Sequence, residues 1–166
     1  MQDVQPHYSI DESIGSLVEK IKLLDSNYTH MILLVGLAGS RKTQLLKTLL
    51  STDQNRFSYS NINLVLSKKL LNLSVRERQC KFFQIFQEFI SNTKGKILLL
   101  DNTEILFDNY LNQDPLKCLT LISRQRKIIA SWNGSYSNNS LTYGNRTHPE
   151  FKEYKRQNID AVIQTI

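Results

Sequence analysis

The chain is poor in the residues that punctuate and cross-link proteins: 166 residues hold six glycines, three prolines and two cysteines. Cys80 and Cys118 stand far apart, with no Cys or His at ligand spacing, which argues against a zinc site and for two reduced thiols. The prolines, at positions 6, 115 and 149, are too scattered for a proline-rich linker, and neither repeats nor low-complexity tracts interrupt the pattern. Apolar runs stay short. The longest, Met31 to Val35 and Ile97 to Leu100, fall far below the roughly 20 residues that a membrane-spanning helix needs. The opening Met1-Gln2-Asp3-Val4-Gln5-Pro6 has neither a basic n-region nor an apolar h-region, so a cytoplasmic location is expected.

With 40% hydrophobic residues, the length suits one core, read as an N-terminal helical extension over 1–28 and a single domain over 29–166. Twenty-one Lys and Arg against 15 Asp and Glu give a formal charge of +6, which favours polyanionic partners such as nucleotides, DNA or RNA. Basic residues gather at Lys68-Lys69, at Arg76, Arg78 and Lys81, at Arg124, Arg126 and Lys127, and at Lys152, Lys155 and Arg156. Each cluster reads either as a solvated face or as a nucleic-acid contact, and no recognisable DNA-reading or RNA-binding module accompanies them.

Hydrophobic spacing predicts an alternation of helices and strands. A helix over Ser9 to Leu24, capped by Ser9 or Asp11, precedes a buried strand at Met31 to Val35 and a helix from Lys42 to about Ser51. Tyr59 to Leu66 reads as a second strand, with Ile62, Leu64 and Leu66 on one side. Val75 to Ile90 reads as a helix whose apolar face carries Cys80, Phe83, Phe86, Phe89 and Ile90. A strand over Lys96 to Leu100 follows, then helices at Glu104 to Tyr110 and Asp114 to Gln125, the latter with Asp114 as N-cap and Pro115 at its first position. Lys127 to Trp132 is a fourth strand, followed by a turn at Asn133-Gly134, a hairpin around Leu141-Thr142-Tyr143 and a last strand at Ala161-Val162-Ile163. Such alternation implies a mainly parallel sheet with helices on both faces.

The densest chemistry lies directly after the first strand, in Gly36-Leu37-Ala38-Gly39-Ser40-Arg41-Lys42-Thr43-Gln44. A strand that ends in a glycine turn and feeds a helix aims backbone N–H groups and the positive helix end at one small volume, which suits a polyphosphate. The phosphate-loop pattern is Gly, four residues, Gly, Lys, then Ser or Thr, and every fixed position matches except the second glycine, which is Arg41. Three readings of Arg41 stand open: it points outward, it adds charge to a working site, or it blocks the loop. Downstream, Ile97-Leu98-Leu99-Leu100-Asp101 has the Walker-B pattern of an apolar strand ending in an acid. At the carboxyl ends of a parallel sheet, Asp101 is expected beside Lys42 and Thr43. Lys42 would then serve the terminal phosphates of ATP, while Thr43 and Asp101 would hold Mg²⁺.

Hydrolysis also needs a group that orients water, and the place directly after the Walker-B aspartate, where many ATPases carry glutamate, is Asn102. Glu104 is either the substitute or a helix-start acid favoured by the dipole. Ser131 and Asn133, at the end of the fourth strand, are candidate sensors of the γ-phosphate, with a plain turn as the alternative for Asn133-Gly134. Arg124 and Arg126 either reach the phosphates of a neighbouring subunit, in which case a homo-oligomer completes the site, or cap their own helix.

From Gly36 to Tyr154 the chain resembles the BrxF family, the small P-loop proteins of type 3 BREX bacteriophage-defence systems. The resemblance rests on several ordered blocks: the P-loop, Leu99 to Asp108, Asp114-Pro115-Leu116, Ser123 to Arg126, Ile129 to Gly134, Leu141-Thr142-Tyr143 and His148 to Phe151. The family pattern usually has glycine where this chain has Arg41. The resemblance implies a three-layer α/β fold of the P-loop NTPase type (AAA/RecA-like). It also implies a cytoplasmic protein that acts beside a larger ATPase, a DNA methyltransferase, a phosphatase-like protein and a helicase against phage DNA. Two functions from different classes follow: an ATP-binding component, with or without hydrolysis, and a degenerate P-loop scaffold that binds DNA or a partner without turnover. A small-molecule kinase is the weaker third, because no arginine-rich lid is evident.

Overall fold

A parallel sheet forms the middle of the protein because its strands are apolar on both sides, and helices cover each side. The computed structural model describes residues 10–24 and 30–166; Ser9 and the opening residues 1–6 lie outside them. The elements are α1 (Ile10–Leu23), β1 (Met31–Gly36), α2 (Lys42–Thr52), β2 (Phe57–Asn61), α3 (Ile62–Leu70), α4 (Val75–Asn92), β3 (Ile97–Asp101), α5 (Pro115–Ser123), β4 (Lys127–Ser137), β5 (Ser140–Tyr143), β6 (Lys152–Lys155) and β7 (Val162–Thr165). Five strands run parallel in the order β2-β3-β4-β1-β7, and β5 and β6 extend β4 as an antiparallel hairpin and third strand.

Alternate side chains of each central strand enter different cores. Met31, Leu33 and Val35 of β1, Leu98 and Leu100 of β3, and Ile128 and Ala130 of β4 pack with α3, α4 and α5. Ile32, Leu34, Leu99 and Ile129 pack on the other face with Leu45, Leu46 and Leu49 of α2 and with Leu17 and Ile21 of α1. This is the three-layer α/β arrangement that the sequence led us to expect. The first helix belongs to the same body: Lys20 Nζ donates to the Ile163 carbonyl at 3.1 Å and to Gln164, and Asp11 sits within the first helical turn.

Several elements differ from the sequence expectation. The second strand covers only Phe57–Asn61, and Ile62–Leu70 is helix. Asn61 ends the strand by accepting the Leu64 N–H in an N-cap at 2.9 Å, and Ile62, Leu66 and Leu70 bury one helical stripe while Leu64 is exposed. In α4 the buried residues are Phe82, Phe86 and Ile90, and Cys80 faces solvent. The stretch after β3 forms two 3-10 turns, Glu104–Phe107 and Asn109–Leu111, in place of one helix. Pro115 does open α5, with the Asp114 carboxylate accepting the Lys117 N–H at 2.7 Å.

Asn133-Gly134 is strand, not turn. β4 runs through both residues, and a Cβ on Gly134 would lie 1.7 Å from the Thr142 carbonyl oxygen, so the glycine is there to let β5 close on β4. The turn comes later, at Asn138 and Asn139, whose φ values of 48° and 56° suit a two-residue hairpin loop. The final strand forms at Val162–Thr165, within one residue of the expected start.

Candidate functional site

The glycine loop after β1 closes on itself because Gly36 has no side chain. A Cβ there would lie 2.3 Å from Ser40 Oγ and 2.9 Å from the Ile166 carbonyl oxygen. Gly39 takes φ +82°, and Arg41 takes φ +66°, ψ +14°, the left-handed conformation that glycine adopts freely. Arg41 therefore keeps the backbone path of the glycine it replaces, at about 1 kcal/mol of strain. Its side chain is exposed, makes no capping hydrogen bond, and stands on the rim of the cleft. Leu37 and Ala38 are exposed as well.

Lys42, Thr43 and Gln44 are the first three residues of α2, so their N–H groups have no carbonyl partner within the helix. Thr43 and Gln44 are exposed, whereas Lys42 is only 6% exposed. The Lys42 ammonium donates to the Gly36 carbonyl at 2.8 Å, to the Leu37 carbonyl at 2.7 Å and to Ser40 Oγ at 3.1 Å. Burial lowers its pKa, and the charges of Asp101 and Glu104 pull the other way.

The opposite wall comes from the carboxyl ends of β3 and β4. Asp101 is 2% exposed; its Oδ2 accepts the Tyr59 hydroxyl at 2.8 Å and its Oδ1 accepts the Asn102 N–H at 2.9 Å. Burial, reinforced by the Asp101 carboxylate, raises the Tyr59 pKa. Asn102 has φ +51°, a conformation in which asparagine is common and the glutamate of many ATPases would be strained. Thr103 is buried and donates to the Ser131 carbonyl at 2.6 Å, tying the end of β3 to β4. Glu104 opens the first 3-10 turn, and its Oε1 accepts the Asn133 amide at 2.5 Å.

Together these walls enclose a cleft of about 740 Å³ that takes in the loop from Ala38 to Gln44, then Asp101, Asn102, Glu104, Ser131 and Asn133. A volume of that order suits a nucleotide-sized ligand. The donor set fits a hard divalent cation as well: Thr43 is exposed and carries a hydroxyl, and the two Asp101 oxygens each accept one protein hydrogen bond and keep further lone pairs. Among the described residues no group of three His, Cys, Asp or Glu could hold a metal.

Arg124 and Arg126 do not join this cleft. They precede β4, at the end of the sheet opposite Gly36 and Asp101. Arg126 donates to the Thr93 carbonyl at 3.1 Å and to those of Ile90 and Gly95, so it caps the C-terminus of α4 and not that of its own helix. Arg124 is the exposed C-cap residue of α5. Tyr59, Thr103 and Lys47, whose ammonium lies 5.9 Å from the centre of the Tyr59 ring, were not singled out by the sequence. No sequence signal marked Tyr59: the expected strand ran from Tyr59 to Leu66, and only its end at Asn61 and its parallel pairing with β3 set the hydroxyl beside Asp101.

No family model matches this chain, and no curated protein matches it either. Among solved structures it is similar to that of C. elegans PCH-2, at 18% identity and a TM-score of 0.48 over 95% of this chain. The chain spans 42% of that protein.

Proposed function

We propose that the protein binds ATP with Mg²⁺ in this cleft and serves as the nucleotide-binding component of a BREX-type phage-defence assembly. The observation that carries the nucleotide reading is the convergence of Lys42 and Thr43 with Asp101 at the carboxyl ends of β1 and β3, with the start of α2 aimed between them. Lys42 would exchange the Gly36 and Leu37 carbonyls for phosphate oxygens; Thr43 and Asp101 would hold the ion, which neutralises phosphate charge when bound. Glu104, held by Asn133, is the residue here that can orient an attacking water. The BREX part of the reading is supported by the order and spacing of the sequence blocks between Gly36 and Phe151.

Calorimetric titration with ATP and Mg²⁺ tests the site. Binding in the parent that Lys42→Ala abolishes is the expected result; no heat at millimolar nucleotide in parent or Arg41→Gly overturns the reading. Affinity capture of a larger ATPase, methyltransferase or helicase from a cell carrying such a system tests the assembly.

One observation favours a second reading, a P-loop scaffold without turnover. The Lys42 charge is already held by two carbonyls of its own loop, and Arg41 stands at the rim. On that reading Lys42→Ala leaves phage protection and partner capture intact.

A further inference from the structure

The end of the sheet opposite the nucleotide cleft carries a second cleft of about 690 Å³, formed where β3 and β4 begin and where the chain enters β1 and β2. Among the described residues His30, Arg56, Lys96, Arg126 and Lys127 line it, against one carboxylate, Asp53. That carboxylate is engaged locally: its Oδ1 accepts the N–H groups of Asn55 and Arg56, each at 3.0 Å. Arg126 is committed to the carbonyls at the end of α4, so its charge is fixed in place beside the cleft.

Arg56 and Lys96 are the exposed members, and the backbone fixes them side by side. The Arg56 carbonyl accepts the N–H of Lys96 at 2.9 Å and that of Ile97 at 3.1 Å. The Arg56 guanidinium rests 5.5 Å from the centre of the Phe57 ring, and among the described residues neither Arg56 nor Lys96 is in an ion pair. A pre-positioned pair of cations beside two further basic side chains makes a concave positive surface, which concentrates field on a polyanion. Among the described residues it has neither the glycine loop nor the helix start that would wrap a single phosphate group; Phe57 beside it is buried and cannot stack on an unpaired base, which leaves the His30 imidazole as the one ring that lines it.

We infer that this second cleft binds the phosphodiester backbone of duplex nucleic acid, without reading its sequence. The site is independent of the nucleotide reading, because it lies at the other end of the strands and shares none of its residues. The sequence hid it: Arg56 and Lys96 belong to none of the linear basic clusters, and only the parallel pairing of β2 with β3 makes them neighbours.

The test is fluorescence anisotropy of the full chain with a labelled 20-base-pair duplex of mixed sequence, between about 50 and 200 mM salt, where counterion release is readily measured. Log K should fall linearly with log salt, and Arg56→Ala and Lys96→Ala should each flatten the slope by about 0.9. Both residues are exposed, so both variants should melt within a degree or two of the parent. Lys42→Ala should bind the duplex as the parent does, and a single strand of equal length should bind more weakly. Absence of duplex binding at the lowest salt, an unchanged slope in both variants, or full displacement by equimolar pyrophosphate would each overturn the inference, the last by making the site one for small phosphates.

Discussion

Arg41 holds a backbone conformation that its side chain does not favour, and nothing in its own contacts compensates for it. The strain of about 1 kcal/mol is therefore recoverable. Arg41→Gly should leave the unfolding free energy unchanged or raise it by up to about 0.5 kcal/mol, after the extra chain entropy of glycine is subtracted, as read by urea denaturation. A loss of stability would mean that the guanidinium makes a favourable contact at the rim. Tyr59 belongs to the same scale. Its hydroxyl fixes one oxygen of Asp101, and if Asp101 holds Mg²⁺ as proposed, losing such a contact should weaken metal affinity by about 10- to 100-fold. Tyr59→Phe should accordingly reduce nucleotide affinity about tenfold in Mg²⁺ and leave it unchanged in EDTA. Equal loss in both conditions would mean that Tyr59 shapes the cleft and does not act through Asp101. Glu104→Gln keeps the Asn133 contact in reach and removes only the charge, so if the protein hydrolyses ATP its turnover should fall by about 10² or more with binding retained.

Between elements, the sequence was most readable where periodicity and chemistry agreed. β1 into α2, β3 into Asp101 and the Asp114-Pro115 start of α5 were legible, because each couples an apolar run or stripe to a capping or glycine signal. Ile62-Leu64-Leu66 was not, since three apolar residues two apart fit a strand as well as one edge of a helix, and the Asn61 cap decides between them only once the 3.6-residue stripe is extended to Leu70. Asn133-Gly134 looked like a turn because the close approach of Thr142 that requires the glycine is a tertiary contact. Gly134→Ala should therefore destabilise the fold by about 3 kcal/mol or more, with near-ultraviolet loss around Trp132, whose Nε1 donates to the same Thr142 carbonyl at 2.8 Å. At α4 the contribution is local: Ser74 and Glu77 form a reciprocal capping box. The Ser74 backbone N–H and hydroxyl, then Lys81, hold the Glu77 pKa down to about 2, below its value near 4.3 in an unfolded chain. The stabilisation is thus present above pH 4.3 and lost as pH falls through about 2. Ser74→Ala should lower stability at neutral pH and flatten the pH dependence in that acid window, as read by urea denaturation across that range.

Across the whole molecule, the two ends of one parallel sheet gather different residues: the glycine loop, Lys42 and Asp101 at the carboxyl end, and Arg56, Lys96 and Arg126 at the other. The candidate site at the carboxyl end was legible because a single loop and a single strand end carry it. The opposite end was not, because its residues come from four places in the chain that only the β2-β3-β4-β1 order brings together. Arg126 looked like a residue for a neighbouring subunit's phosphates, yet its guanidinium is spent on three carbonyls at the end of α4, just before β4 enters the sheet. Removing it would leave partly buried carbonyls unpaired and cut the link between α4 and β4. Arg126→Ala should therefore destabilise the protein by about 2–3 kcal/mol in urea denaturation, and Arg126→Lys should recover less than half of that, because an ammonium cannot satisfy the same forked arrangement. If nucleotide turnover is present, its rate per folded molecule should remain within about twofold of the parent in both variants, since no described contact links Arg126 to the cleft. A large fall in turnover with unchanged stability would place this arginine in another subunit's site and make the carbonyl contacts secondary.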